Sequence, residues 1–227
     1  MERGSGSTDS LRGWSLGMNP LGLLTDLVTL TPDRNWEATI KTLLCLRRDS
    51  LGIAPITFDI FVHPRRDPGV YHEAAKFLKP MASRFRHALV LLDSEWVGSP
   101  PDPRVIRQEV QGGLDRGGWS GRSAVVVAVP EIEAWVWSDS PHVPTTLGWT
   151  QGNLLAEIER MSFELGPTGK PKRPKEALEA VLRLTRKPRS SSLYARLAEK
   201  VSLDRCTDTA FDEFKAVLRG WFPAQEG

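Results

Sequence analysis

The run Ala124-Val125-Val126-Val127-Ala128-Val129 carries no polar residue on either side of a strand's two-residue repeat. A strand apolar on both faces needs helices above and below it, so Ser123 to Val129 reads as a central strand of a mostly parallel sheet. Three further runs rich in β-branched residues precede it: Leu24 to Leu30, Ile56 to Val62 and His87 to Leu92. Helical spacing fills the gaps between them. Trp36 to Arg47 sets Ile40, Leu43, Leu44 and Arg47 on one side, and Val70 to Phe85 repeats the pattern with Ala74, Phe77, Leu78 and Met81, bending at Pro80. Strands alternating with helices predict an α/β fold with a doubly wound, Rossmann-like sheet.

After the third strand, Gly98-Ser99-Pro100-Pro101 is a loop, and Asp102-Pro103 supplies a cap and a first-turn proline for a helix to Leu114, ended by Gly117-Gly118. Beyond Val129 the β pattern stops. Gln151 to Glu164, Pro174 to Arg186, Ser191 to Lys200 and Asp208 to Gly220 read as helices separated by Gly, Pro or Ser-rich turns. The expected organisation is a flexible segment 1–20, an α/β domain 21–148 and a helical C-terminal subdomain 149–227.

A chain of 227 residues buries a core without covalent staples. Cys45 and Cys206 stand far apart with no Cys/His cluster around them, which argues against a disulfide framework or structural zinc and for a reducing cytoplasm. With no stretch of eighteen apolar residues, membrane attachment is not expected. The net charge of +2 hides an uneven distribution. Ten basic residues fall between Lys170 and Lys200, against Glu176, Glu179 and Glu199 only. That segment is either a solvated helical surface or a face for an acidic partner such as nucleic acid.

The chemistry concentrates in two stretches. In Leu91-Leu92-Asp93-Ser94-Glu95 an apolar strand ends in carboxylates two residues apart, which an extended backbone points the same way, at the carboxyl edge where open α/β sheets bind ligands. Val129-Pro130-Glu131-Ile132-Glu133-Ala134-Trp135 follows the last strand, so its acids start at the same edge. Two or three such carboxylates suffice for Mg²⁺, which keeps several waters. The competing readings are a turn cap for Asp93, a solvated Glu95, and Glu131 and Glu133 as helix-start acids worth about 0.3–1 kcal/mol each. Trp135 and Trp137 read as packing residues.

These segments, with Arg173-Pro174-Lys175-Glu176-Ala177-Leu178 and the closing Tyr194, Ala198, Val201, Asp204, Phe211 and Phe214, resemble a TOPRIM-like family of prokaryotic defence islands. Its relatives include RloB-type proteins and the nuclease domains of overcoming-lysogenization-defect proteins. The resemblance runs from about Leu24 to Leu218, and Glu133-Ala134-Trp135 is its most specific part. It implies a TOPRIM-like nuclease with Mg²⁺ or Mn²⁺ held by Asp93, Glu95 and Glu133, and a general base at Asp33 or Glu37. Lys172, Arg173 and Lys175 would meet nucleic-acid phosphates, and other defence-system proteins would be partners. Two departures stand out. The family's Glu-Gly after the first strand is replaced by a stretch with Asp33 and no following glycine, and its Asp-x-Asp appears as Asp93-Ser94-Glu95. Ångström-scale displacement of a catalytic group can cost about 10²-fold in rate, so a module that only docks a partner is the alternative.

Neither a GxxxxGK[ST] phosphate loop nor a Gly-x-Ser-x-Gly elbow occurs, and His63, His72, His87 and His142 lack ligand spacing. A nucleotide motor or a serine hydrolase is therefore not expected.

Overall fold

Nine residues, Phe85–Asp93, form the strand that organises the molecule, and five consecutive ones, Ala88 to Leu92, are fully buried. The computed structural model describes residues 24–224, and the expected flexible segment 1–20 lies outside them. In chain order the strands are β1 (Thr25–Thr31), β2 (Phe58–Val62), β3 (Phe85–Asp93) and β4 (Ser123–Ala128). All pairings are parallel, in the order β2-β1-β3-β4. The fold is α/β, with a Rossmann-like parallel sheet.

β4 is an edge strand, not the central one that its sequence suggests. The reason is that burial on both faces requires a layer on each side of the sheet, not a neighbouring strand on each side. Val125 and Val127 face one apolar cluster while Val126 and Ala128 face the other.

The first cluster lies under α3 (Arg66–Leu78) and α4 (Pro103–Leu114), where Val70, Ala74, Leu78, Ile106 and Val110 meet Val28, Leu30, Val90 and Leu92. The helix expected to run to Phe85 stops at Leu78. A 3-10 turn, Lys79–Met81, contains Pro80, and Phe85 already belongs to β3. At the other end, α3 begins four residues before the expected Val70, close against the end of β2. A Cβ on Gly69 would come within 2.0 Å of His63 Nδ1, so only glycine permits this approach.

The opposite face is covered by α1 (Arg34–Leu46) and by the C-terminal helices α8 (Pro174–Leu184), α9 (Ser191–Lys200) and α10 (Thr209–Trp221). Short helices fill the connections: α2 (Arg48–Leu51), α5 (Glu133–Val136), α6 (His142–Leu147) and α7 (Leu154–Arg160). One apolar cluster runs from Leu27, Leu89 and Val126 on the sheet to Leu178, Leu197 and Phe214 on these helices. Trp135 sits at its centre, with ring centroids 5.0 Å from Trp36 and 5.0 Å from Phe211. Arg47, just after α1, sends Nη1 to the carbonyls of Ala198, Glu199 and Val201 and so satisfies the orphan end of α9. No described helix is long and apolar enough to cross a membrane.

Candidate functional site at the carboxyl edge of the sheet

Each strand is followed at the carboxyl edge by an acid: Asp33 after β1, Asp67 after β2, Asp93 at the end of β3 and Glu133 after β4. The chain order reverses between β1 and β3, and in open parallel sheets the crevice outside that reversal is where ligands bind.

Asp93 is the hub. Its Oδ1 accepts from Trp36 Nε1 at 2.9 Å and from the Ile132 backbone N–H at 2.9 Å, which leaves Oδ2 without a hydrogen-bond donor among the described residues. Its own N–H donates to Asp67 Oδ1 at 2.9 Å, tying the start of α3 to the end of β3. Asp33 caps α1, its Oδ1 accepting from Asn35 N at 2.8 Å and Trp36 N at 3.0 Å. That cap fixes the first turn from which Trp36 reaches Asp93. The chain after β4, which includes the cis Val129-Pro130 peptide, is held against β3 because Ser94 and Glu95 both donate their N–H to the Pro130 carbonyl.

Burial, followed by the charges of Asp67 and Glu133, pushes the Asp93 carboxyl well above the usual carboxylate range. Burial, opposed by the hydrogen bond from Asp93 and reinforced by the charge of Asp33, pushes Asp67 up to about 6. Like charges collected in a half-buried crevice stabilise their protonated forms, or a cation placed among them.

Glu133 is differently placed. Its side chain is 1% exposed, and Oε1 accepts from both Arg189 Nη2 and Tyr194 Oη, which arrive from the α8–α9 connection and from α9. Burial and then the Glu133 charge raise the Tyr194 hydroxyl far above its usual pKa, so it stays a donor. Glu131 pairs with Lys175 at 3.0 Å.

Of the residues expected to hold a metal, Asp93 and Glu133 are thus brought to one edge. Glu95 is exposed, and its carboxylate joins no hydrogen bond or ion pair among the described residues. Asp33 faces the same crevice through its charge on Asp67, whereas Glu37, one turn further, pairs with Arg34 at 2.6 Å. Among the three cations expected to meet phosphate, Lys172 pairs with Glu164, Arg173 with Glu176 at 2.6 Å, and Lys175 with Glu131. Sequence reasoning missed Asp67, Trp36, Arg189 and Tyr194 as members of this site. Asp67-Pro68 resembles the cap-and-proline signal at Asp102-Pro103, but α3 starts at Arg66 with Asp67 inside its first turn, so that local signal does not mark Asp67 as part of a site.

No three His, Cys, Asp or Glu side chains among the described residues are close enough to cage an ion unaided. Mg²⁺ asks for less than a cage, because one or two carboxylates with water and substrate phosphate complete its octahedron. Asp93 and Asp67 fit that requirement as hard oxygen donors, the Asp67 carboxylate being tied to the Asp93 backbone N–H; Glu95 does not. No protein family, curated protein or solved structure matches the chain.

Proposed function

We propose that this chain is a TOPRIM-like, Mg²⁺- or Mn²⁺-dependent phosphodiester hydrolase of nucleic acid, working within a prokaryotic anti-phage defence system. The observation that carries the reading is the Asp93–Asp67 pair, set at the switch point of a parallel sheet with Oδ2 of Asp93 free of donors among the described residues. Asp93 and Asp67 would hold the ion, which when bound lowers the pKa of an attacking water and neutralises phosphate charge. Trp36 and the Ile132 N–H fix Asp93, and Asp33 stands on the β1 side as the candidate base. Arg189 and Tyr194 hold Glu133 in place, where its charge favours a cation at Asp93.

A second reading is favoured by that same tie. With Glu133 bound to Arg189 and Tyr194, and Glu95 turned to solvent, the chain would serve as a catalytically silent module docking another protein of the defence complex.

Calorimetric titration with Mg²⁺ and then Mn²⁺ separates the two. The hydrolase reading expects binding heat in the wild type that is lost in Asp67→Asn/Asp93→Asn, and metal-dependent cleavage of DNA or RNA lost in the same variant. Both substitutions keep the acceptor oxygens that the fold uses. Absence of heat from the wild type, with or without nucleic acid, transfers the case to the docking module.

A further inference from the structure

The basic segment of the C-terminal helices is not uniform. In its first part Lys172, Arg173 and Lys175 each meet a glutamate, and Lys170 donates to the Ala134 carbonyl at 2.9 Å. In its second part Arg183, Arg186, Lys187, Arg196 and Lys200 form no ion pair with a carboxylate among the described residues, and all but Lys187 are exposed. Lys187 spends one donor on the Thr146 carbonyl at 2.9 Å.

Two adjoining depressions gather these cations. One, at the end of α8, is lined by Arg183, Arg186, Lys187 and Arg189. The other, between α6 and α9, is lined by Lys187, Arg196, Lys200, His142 and the hydroxyls of Thr145 and Thr146. Lys187 belongs to both, and Arg196 and Lys200 are one turn apart on the same side of α9. Among the described residues the sole carboxylate lining either depression is Glu179, which already faces Arg189 at 3.6 Å. Arg189 also reaches Glu133, whose charge acts on Asp93, so the track ends beside the acidic crevice.

We infer that this face, from Arg183 to Lys200 with Lys187 at its middle, binds the sugar-phosphate backbone of a nucleic acid. Unpaired guanidinium and ammonium groups beside hydroxyls suit phosphate, and such interfaces are polar and strongly basic. A typical protein interface has an apolar centre, and among the described residues the apolar lining of the depressions is Leu182 and Pro188 alone. The footprint goes beyond the hydrolase reading and does not need it, because none of its five unpaired cations touches the carboxylates.

The test is fluorescence anisotropy with a labelled duplex of about 30 base pairs and a single strand of similar length, between about 50 and 200 mM salt. Wild type should bind, with affinity falling steeply as salt rises. Arg186→Glu/Arg196→Glu/Lys200→Glu should weaken low-salt binding at least about tenfold and flatten the duplex salt slope by about 3, at roughly 0.9 per lost phosphate contact. Arg160→Glu/Lys172→Glu/Arg173→Glu changes the net charge equally at paired positions and should stay within about twofold of wild type. Should the first variant fold poorly, acetylation of the wild type gives the same answer: bound oligonucleotide should protect Lys200 and leave Lys172 reactive. Equal losses in both triple variants, equal protection of both lysines, or no salt-dependent binding by wild type overturns the inference. Tighter binding of polyglutamate than of oligonucleotide also overturns it and assigns the face to an acidic protein. In the Asp67→Asn/Asp93→Asn background the triple charge reversal at Arg186, Arg196 and Lys200 should still weaken binding at least about tenfold, so the metal reading and this one fail independently.

Discussion

Burial holds the Asp67 and Asp93 carboxyls above the usual carboxylate range, so keeping them ionised at neutral pH costs the folded protein stability. The Asp67 carboxyl ionises near 6 in the folded protein and near 3.9 in the unfolded chain. As pH rises from about 4 to 6 the unfolded chain therefore releases a proton that the folded protein retains, so stability falls through that window and stays lowered above it. Two pKa units set a ceiling of about 3 kcal/mol, which the water reaching this half-buried group reduces to about 1–2. Asp67→Asn should accordingly raise the thermal midpoint at pH 7.5 without metal by a few degrees and leave it unchanged near pH 4. Equal midpoints at both pH values would show that the carboxyl carries no such penalty. Asp93 was legible in the sequence because an apolar run of five residues delivers it to a sheet edge. Asp67 was not, because Arg65-Arg66-Asp67-Pro68 looks like a polar loop until α3 is packed against β3. The partners of Glu133 lie 56 and 61 residues further along the chain, and no local pattern announces contacts at that separation.

Among the elements, α4 and α9 begin and end where the sequence puts them and the strands fall within two residues, since burial on two faces leaves a run of apolar residues in β3 and β4 whatever lies next to it. The position of β4 in the sheet was hidden for the same reason. Helices α5 and α6, of four and six residues, are too short to show a period, and their form comes from the surfaces they fill. The long helices are defined by their ends. Asp208 caps α10, its Oδ1 accepting from Ala210 N at 3.0 Å and Phe211 N at 3.1 Å, and the same oxygen takes the Trp135 indole N–H at 3.0 Å. Asp208→Ala should cost about 1–2 kcal/mol for the cap plus roughly 1 for the indole bond, whereas Asp208→Asn, which keeps the acceptor, should cost much less. Urea melts of the two variants make the comparison, and equal losses would assign the effect to charge.

For the molecule as a whole, the C-terminal helices are the second layer of the sheet's own core, sharing one apolar cluster with β1, β3 and β4. A chain cut after residue 148 would strip Phe211 and Phe214 from Trp135 and α10 from β4. It should be recovered insoluble or as a species that binds hydrophobic dyes, and a soluble, cooperatively unfolding fragment would show that the sheet is self-sufficient. Trp36 lies at the joint between the two layers, its indole N–H on Asp93 and its ring edge-on to Trp135. Its excited state is therefore exposed to whatever happens to the Asp93 carboxyl and to whatever shifts the helical layer, and the difference in near-ultraviolet emission between the wild type and Trp36→Phe, which subtracts the other seven indoles, carries both signals in one chromophore.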